Sequence, residues 1–344
     1  MQRLFFLLVA ATSSHAKHSL DVSWPKEMPA GVSYFTAVSS DASSGVVHVL
    51  ARMNTSHPIL TFSDDGEFLY GWGEKDMSFD DDGGVWGGHG MALEVDGRAW
   101  VADILDHTAK VFEDRTLVAM AGTQGQEGSD VDRLQFGSTA DIATGTGVFE
   151  GSAWVSDGDG GINDRVIRLN TDADLADIGV HPNWVVGNGG DLDDHDKDFF
   201  SSPHSIAFHE DSATIIVADR DNFRLVVLDA ETGSLKGTLK DCFGEPSSPS
   251  TAPWGVRVSG DLLYVAVCDS PETGKKQRII VLDIVSLEDD HCNILETIPV
   301  DPELCLTPHE LAVDDNGDVF LACVTWNDPN TGASASHVQR YRNL

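Results

Sequence analysis

Residues 200–229 read FSSPHSIAFHEDSATIIVADRDNFRLVVLD. An apolar stretch, Ile206-Ala207-Phe208, meets an acidic turn at Glu210-Asp211. A second runs from Ile215 to Ala218, a polar loop follows at residues 219–222, and a third apolar run spans Leu225 to Leu228. Short apolar segments with period-two alternation, punctuated by acidic turns, predict antiparallel strands joined by tight connections. A fourth strand is expected over residues 233–239.

The opening phrase of this segment returns along the chain. Plain copies are His89-Gly90-Met91-Ala92-Leu93, His204-Ser205-Ile206-Ala207-Phe208 and His309-Glu310-Leu311-Ala312-Val313, each followed by an acidic turn and another apolar run. Weaker copies begin at Tyr34, Ala140 and Trp254. The six starts, 34, 89, 140, 204, 254 and 309, are 55, 51, 64, 50 and 55 residues apart, and the long step holds an acidic insertion over residues 191–198. A repeat of four antiparallel strands cannot cover its own apolar faces, so radial stacking is required. The expected fold is all-β: a six-bladed β-propeller of four-stranded antiparallel blades around a central channel. Six units account for residues 17–344 as one domain, and the strand expected over residues 20–24 could pair with the C-terminal strands to close the ring.

Residues 1–16, MQRLFFLLVAATSSHA, combine Arg3, a short apolar run and a small-residue ending, the form of a cleaved secretory signal. No other long apolar stretch occurs, so no membrane partner is expected, and a secreted or lumenal location follows. With 22 Lys and Arg against 56 Asp and Glu, the formal charge of -34 disfavours nucleic acid as a partner. The five cysteines lie at positions 242, 268, 292, 305 and 323 without the spacing of a zinc knuckle. One or two disulfides are expected, their connectivity open. Asn54-Thr55-Ser56 matches a glycosylation acceptor.

In a propeller the first strand of each blade lines the channel. The phrase starts then place Tyr34, His89, Ala140, His204, Trp254 and His309 at matching depth, with a histidine in every second blade. Alternate blades lie about 120° apart in a six-fold ring, so the three imidazoles converge on the axis. Three neutral imidazoles with an open fourth position are the donor set of a catalytic zinc ion.

The segments WGGHGMALEVDGRAWVAD, residues 200–229 and LTPHELAVDDNGDVFLA resemble the histidine-bearing blades of peptidyl-α-hydroxyglycine α-amidating lyase, a six-bladed propeller of the NHL-repeat type. The resemblance covers the chain from about Val32 to Tyr341 and implies zinc on His89, His204 and His309. It also implies a structural calcium on the Thr36 and Met91 carbonyls and the Glu310 carboxylate, with Glu replacing the family's Asp. Carbonyl and carboxylate oxygens suit that ion. Arg52 and Arg224 match the family's active-site arginines, although Arg165, in the place equivalent to Arg224, fits a blade salt bridge as well. Asp159 stands where the family has its tyrosine base, and Thr307 where it has a methionine.

The implied reaction is cleavage of a C-terminal α-hydroxyglycine to a peptide amide and glyoxylate, with a small peptide as substrate and a separate peptidylglycine monooxygenase supplying it. The alternative is an NHL-type propeller that keeps the metal for stability or grips a partner with a rim, having lost the tyrosine. A lactonase-like calcium site is disfavoured because such sites use carboxylates and Asn more than three histidines. Asp80-Asp81-Asp82 and residues 191–196 read as solvated acidic loops, since position twelve of the second is Ser202 and not the Glu of a calcium-binding loop.

Overall fold

The computed structural model describes residues 18–41, 43–53, 56–170, 182–187, 199–243, 251–269, 277–284, 287, 292–301, 303–324 and 337–344. The leader expected at residues 1–16, Asn54 and Thr55 of the glycosylation motif, and the acidic insertion at residues 191–198 lie outside them.

Six antiparallel sheets form a propeller ring. From the channel outward, blade one is Ser33–Asp41, Val46–Met53, Ile59–Ser63 and Phe68–Trp72, and blade two is Gly88–Leu93, Ala99–Asp103, Thr108–Glu113 and Thr116–Ala121. Blade three is Thr139–Thr144, Ser152–Asp157, Arg165–Asn170 and Trp184–Gly187, and blade four is Pro203–His209, Thr214–Asp219, Arg224–Asp229 and Leu235–Leu239. Blade five is Thr251–Ser259, Leu262–Asp269, Arg278–Asp283 and Ile294–Pro299. Blade six takes Thr307–Val313, Val319–Val324 and Val338–Asn343 from the C-terminal end, and its outermost strand, His18–Leu20, from the other end of the chain. The closure expected for residues 20–24 is made slightly earlier, with His18 opposite Asn343 and Leu20 opposite Tyr341.

The second strand of blade four shows why the central strands are apolar on both faces. Ile215 and Val217 enter a cluster with Trp154, Val166 and Val186 of blade three. Their neighbours Ile216 and Ala218 point the other way, into a cluster with Val256, Val265 and Ile280 of blade five. Successive side chains on a strand face opposite sides, so a sheet sandwiched between two blades buries both sets. All four residues have no exposed surface.

Disulfides join Cys242 to Cys292 and Cys305 to Cys323, and Cys268 takes part in neither. This resolves the connectivity that spacing left open and fits an oxidising compartment. No helix among the described residues is long and apolar enough to cross a membrane.

Candidate metal centre

Each innermost strand slips register against its neighbour at one place. The slips fall at Phe35/Ala37, Gly88/Met91, Thr139/Asp141, Pro203/Ser205, Pro253/Gly255 and Pro308/Leu311. A residue skipped by the ladder is released from pairing and its side chain is re-aimed. The skipped positions include Thr36, His89, Ala140, His204, Trp254 and His309, so blade one contributes Thr36 to the ring, two residues beyond the expected Tyr34. Glycine lets the strands close in. A Cβ on Gly255 would lie 2.3 Å from the His309 carbonyl oxygen, and one on Gly158 would lie 2.3 Å from Pro203 Cδ.

The three histidines meet. Their ring centroids are 5.0, 4.8 and 4.6 Å apart, all three are buried, and one ligating nitrogen from each lies within 4.8 Å of the others. In each ring Nδ1 reaches a backbone carbonyl of the next blade: Ala140 O at 2.8 Å for His89, Trp254 O at 2.8 Å for His204 and Thr36 O at 2.5 Å for His309. A carbonyl can only accept, so Nδ1 carries the proton and each Nε2 presents its lone pair. Burial, followed by the charge on Arg220, pulls the His204 pKa down to about 3, and burial with the neighbouring imidazoles holds His309 well below its usual value. His204 Nε2 is buried without a hydrogen-bond partner. An orphaned, neutral nitrogen facing two others fits a zinc ion, which takes imidazoles at about 2.0–2.1 Å.

Asp159 sits on the rim of this cluster, its Oδ2 3.1 Å from His89 Nε2 and its Oδ1 2.7 Å from Arg220 Nη1. Two acceptors at that separation require a shared proton or a cation between them. Burial alone would raise the Asp159 pKa, but the hydrogen bond it gains when a proton is shared with His89, together with the charge on Arg220, outweighs it and holds the carboxyl well below the usual range. The Ser138 hydroxyl donates to the Asp159 carbonyl at 2.7 Å, fixing the loop. Trp254 forms one wall, 5.0 Å from His204 and 5.5 Å from His309 between centroids, and the Arg220 guanidinium lies over its ring, 4.8 Å from the centroid.

Arg52 approaches from blade one. Its Nε donates to Trp86 O at 2.8 Å, its guanidinium lies 5.6 Å from the Tyr34 ring centroid, and its charge acts on both Tyr34 and Asp159. Tyr34 thus stands beside the rim rather than in the ring of skipped residues, and burial raises its pKa. Arg224 is engaged elsewhere: its Nε donates to Asp219 at 2.6 Å, and its Nη2 to Phe199 O. Arg165 with Asp157 in blade three and Lys110 with Asp103 in blade two repeat that internal pair. Arg220 went unnoticed in the sequence because Arg224, in the recurring position, drew the assignment. Its signal was its place directly after Asp219, which pairs with Pro203 beside His204.

Most of the oxygens expected to hold calcium already have partners, although Glu310 Oε1 is buried without one. Thr36 O accepts from His309, Met91 O accepts from Arg257 Nη2 at 3.3 Å, and Glu310 Oε2 lies 3.3 Å from Arg257 Nη1. A calcium ion needs six to eight oxygens at about 2.3–2.6 Å, and a guanidinium already occupies two of the three. These residues do not fit that ion.

Over 316 residues the chain is 30% identical to mouse NHL repeat-containing protein 3, an alignment covering 88% of this chain and 80% of the mouse protein. The chain belongs to the NHL repeat-containing protein 3 family. The lyase resemblance is more distant. Peptidyl-alpha-hydroxyglycine alpha-amidating lyase 2 of Drosophila melanogaster is 26% identical over 242 residues, covering 67% of this chain and 50% of the lyase. For the fold, a gluconolactonase from Xanthomonas campestris superposes with a TM-score of 0.57 at 13% identity, over 91% of this chain and 87% of that one. No family model matches this NHL repeat-containing protein 3 relative.

Proposed function

We propose that the channel carries one zinc ion on His89, His204 and His309 and that the protein is a lyase for peptides ending in α-hydroxyglycine. The observation that carries this reading is the convergence of three carbonyl-anchored imidazoles under a rim bearing Asp159, Arg220 and Arg52. Zinc supplies Lewis acidity, lowering the pKa of a hydroxyl bound to it. Arg52 and Arg220 hold the substrate's terminal carboxylate, for which a planar guanidinium is the best side chain. Asp159, ionised between His89 and Arg220, receives the hydroxyl proton. The oxygen's electron pair then forms the glyoxylate carbonyl as the carbon–nitrogen bond breaks with its pair passing to the amide nitrogen, which takes the proton held on Asp159, leaving a peptide amide and glyoxylate.

The test is metal analysis of the purified protein with a glyoxylate-release assay. About one zinc per chain, lost in His204→Ala, and glyoxylate release abolished by Asp159→Asn with zinc retained, are the expected results. A second reading, a binding module that keeps the metal for stability, is favoured by one feature: beside His89 Nε2, at 3.1 Å, stands the Asp159 carboxylate in place of a phenol. A zinc-loaded wild type that releases no glyoxylate establishes that reading. In that case Asp159→Tyr, which restores a phenol, is the variant to assay for a gain.

A further inference from the structure

Arg257 lies on the innermost strand of blade five, yet its guanidinium reaches four other blades. Nη1 donates to Asp141 Oδ2 of blade three at 2.8 Å and to the blade-five carbonyl of Val256 at 2.8 Å, and it lies 3.4 Å from Ser205 Oγ of blade four. Nη2 donates to Asp141 Oδ1 at 3.2 Å and to Met91 O of blade two at 3.3 Å. Glu310 of blade six completes the set at 3.3 Å from Nη1.

The partners are themselves interlocked. Ser205 Oγ donates to Asp141 Oδ2 at 2.8 Å and accepts from Val256 N at 3.0 Å, and Ile206 N donates to Asp141 Oδ2 at 3.1 Å. Asp141 and Glu310 have no exposed side-chain surface. Two carboxylates so placed, on the innermost strands of blades three and six, repel each other unless a cation lies between them.

We propose that Arg257 is that cation: a covalently tethered substitute for a calcium ion, cross-linking the inner strands of five blades, so that this chain has no channel calcium and no calcium requirement for stability. A guanidinium has the donors for this place. It delivers five N–H groups in a plane, enough for a bidentate carboxylate, a second carboxylate and a carbonyl together. It also differs from an ion in being part of the chain, so it cannot dissociate at low calcium.

The experiment is thermal unfolding and calcium titration calorimetry of the purified, zinc-loaded chain in buffers stripped of calcium by resin, without a soluble chelator that would also extract zinc. Wild type is expected to give no heat with millimolar calcium and an unchanged Tm. Arg257→Ala is expected to melt at least several degrees lower and to regain about 3–6 °C with millimolar calcium, as it would for a ligand near a hundredfold above its Kd. Wild type whose Tm rises with calcium, or Arg257→Ala as stable as wild type, would overturn the proposal. Should Arg257→Ala not fold, wild-type calorimetry decides alone, since saturable calcium heat there is incompatible with an occupied position.

Discussion

Two arginines separated by three residues have different fates, and the difference is set by which neighbour each can reach. Arg224 faces across its own blade to Asp219, a carboxylate with no exposure that also accepts the Ser201 N–H at 2.7 Å. Arg220, beyond the strand end, turns over Trp254 toward Asp159 and the histidines. Removing one partner of a buried pair leaves a charge without compensation, so Arg224→Ala is expected to cost about 3–5 kcal/mol of stability. Arg220→Ala, whose partner Asp159 keeps some exposure where Asp219 has none, and Arg52→Ala should cost less stability than that but reduce kcat/KM for a carboxylate-terminated substrate by roughly ten- to a hundredfold, the loss of one charged hydrogen bond. Melting curves and glyoxylate release on the three variants check this. If Arg220→Ala and Arg224→Ala lose stability equally, the division of roles is wrong. A salt bridge inside the blade was legible for Arg224 from Arg165 in the equivalent place in blade three. Which arginine escapes that pairing was not, because spacing along the chain does not say which side of a strand end the following residue takes.

At the level of strands, the site depends on bulges more than on the strands' alternation. A regular ladder would put His204 in register with a residue of Thr214–Asp219, and the slip between Pro203 and Ser205 instead turns it inward. The same slip in blade one selects Thr36, whose carbonyl then receives His309 as Ala140 and Trp254 receive His89 and His204. Counting from the phrase placed five ring members correctly and missed the sixth by two residues, since the apolar alternation of residues 33–38 continues through the bulge without marking it. Close packing of these strands explains Gly255, where a Cβ would press on backbone that cannot rotate away. Gly255→Ala is expected to cost about 1–3 kcal/mol and to lower zinc occupancy by displacing His309. Unaltered metal content alongside unaltered stability would show that blades five and six have more slack than 2.3 Å allows.

For the molecule as a whole, charge and geometry oppose each other. A formal charge of -34 would repel the proposed anionic substrate at long range, while Arg52 and Arg220 would attract it at the rim. Salt screens the distant charges over a Debye length of about 30 Å at 0.01 M and about 8 Å at 0.15 M, leaving contacts at the site largely intact. The KM for a peptide with a free terminal carboxylate should therefore fall as NaCl rises through that range, the reverse of ordinary electrostatic steering, and initial-rate kinetics at three salt concentrations would reveal a rise if local attraction dominates instead. Ring closure also belongs to this scale: His18–Leu20 is the outer strand of the blade made by the other end of the chain, and His18 is anchored by Glu296 Oε2 at 3.0 Å and Gly317 O at 2.9 Å. The number of blades, their strand order and the three histidines followed from the sequence alone, because they rest on a period and an alternation that repeat along the chain, and local patterns are written locally. The partner of Arg224, the approach of Arg220, the reach of Arg257 to four other blades and the pairing of the cysteines were decided only by tertiary structure. Each joins residues from different blades or strand ends, and their meeting depends on how six sheets turn about a common axis.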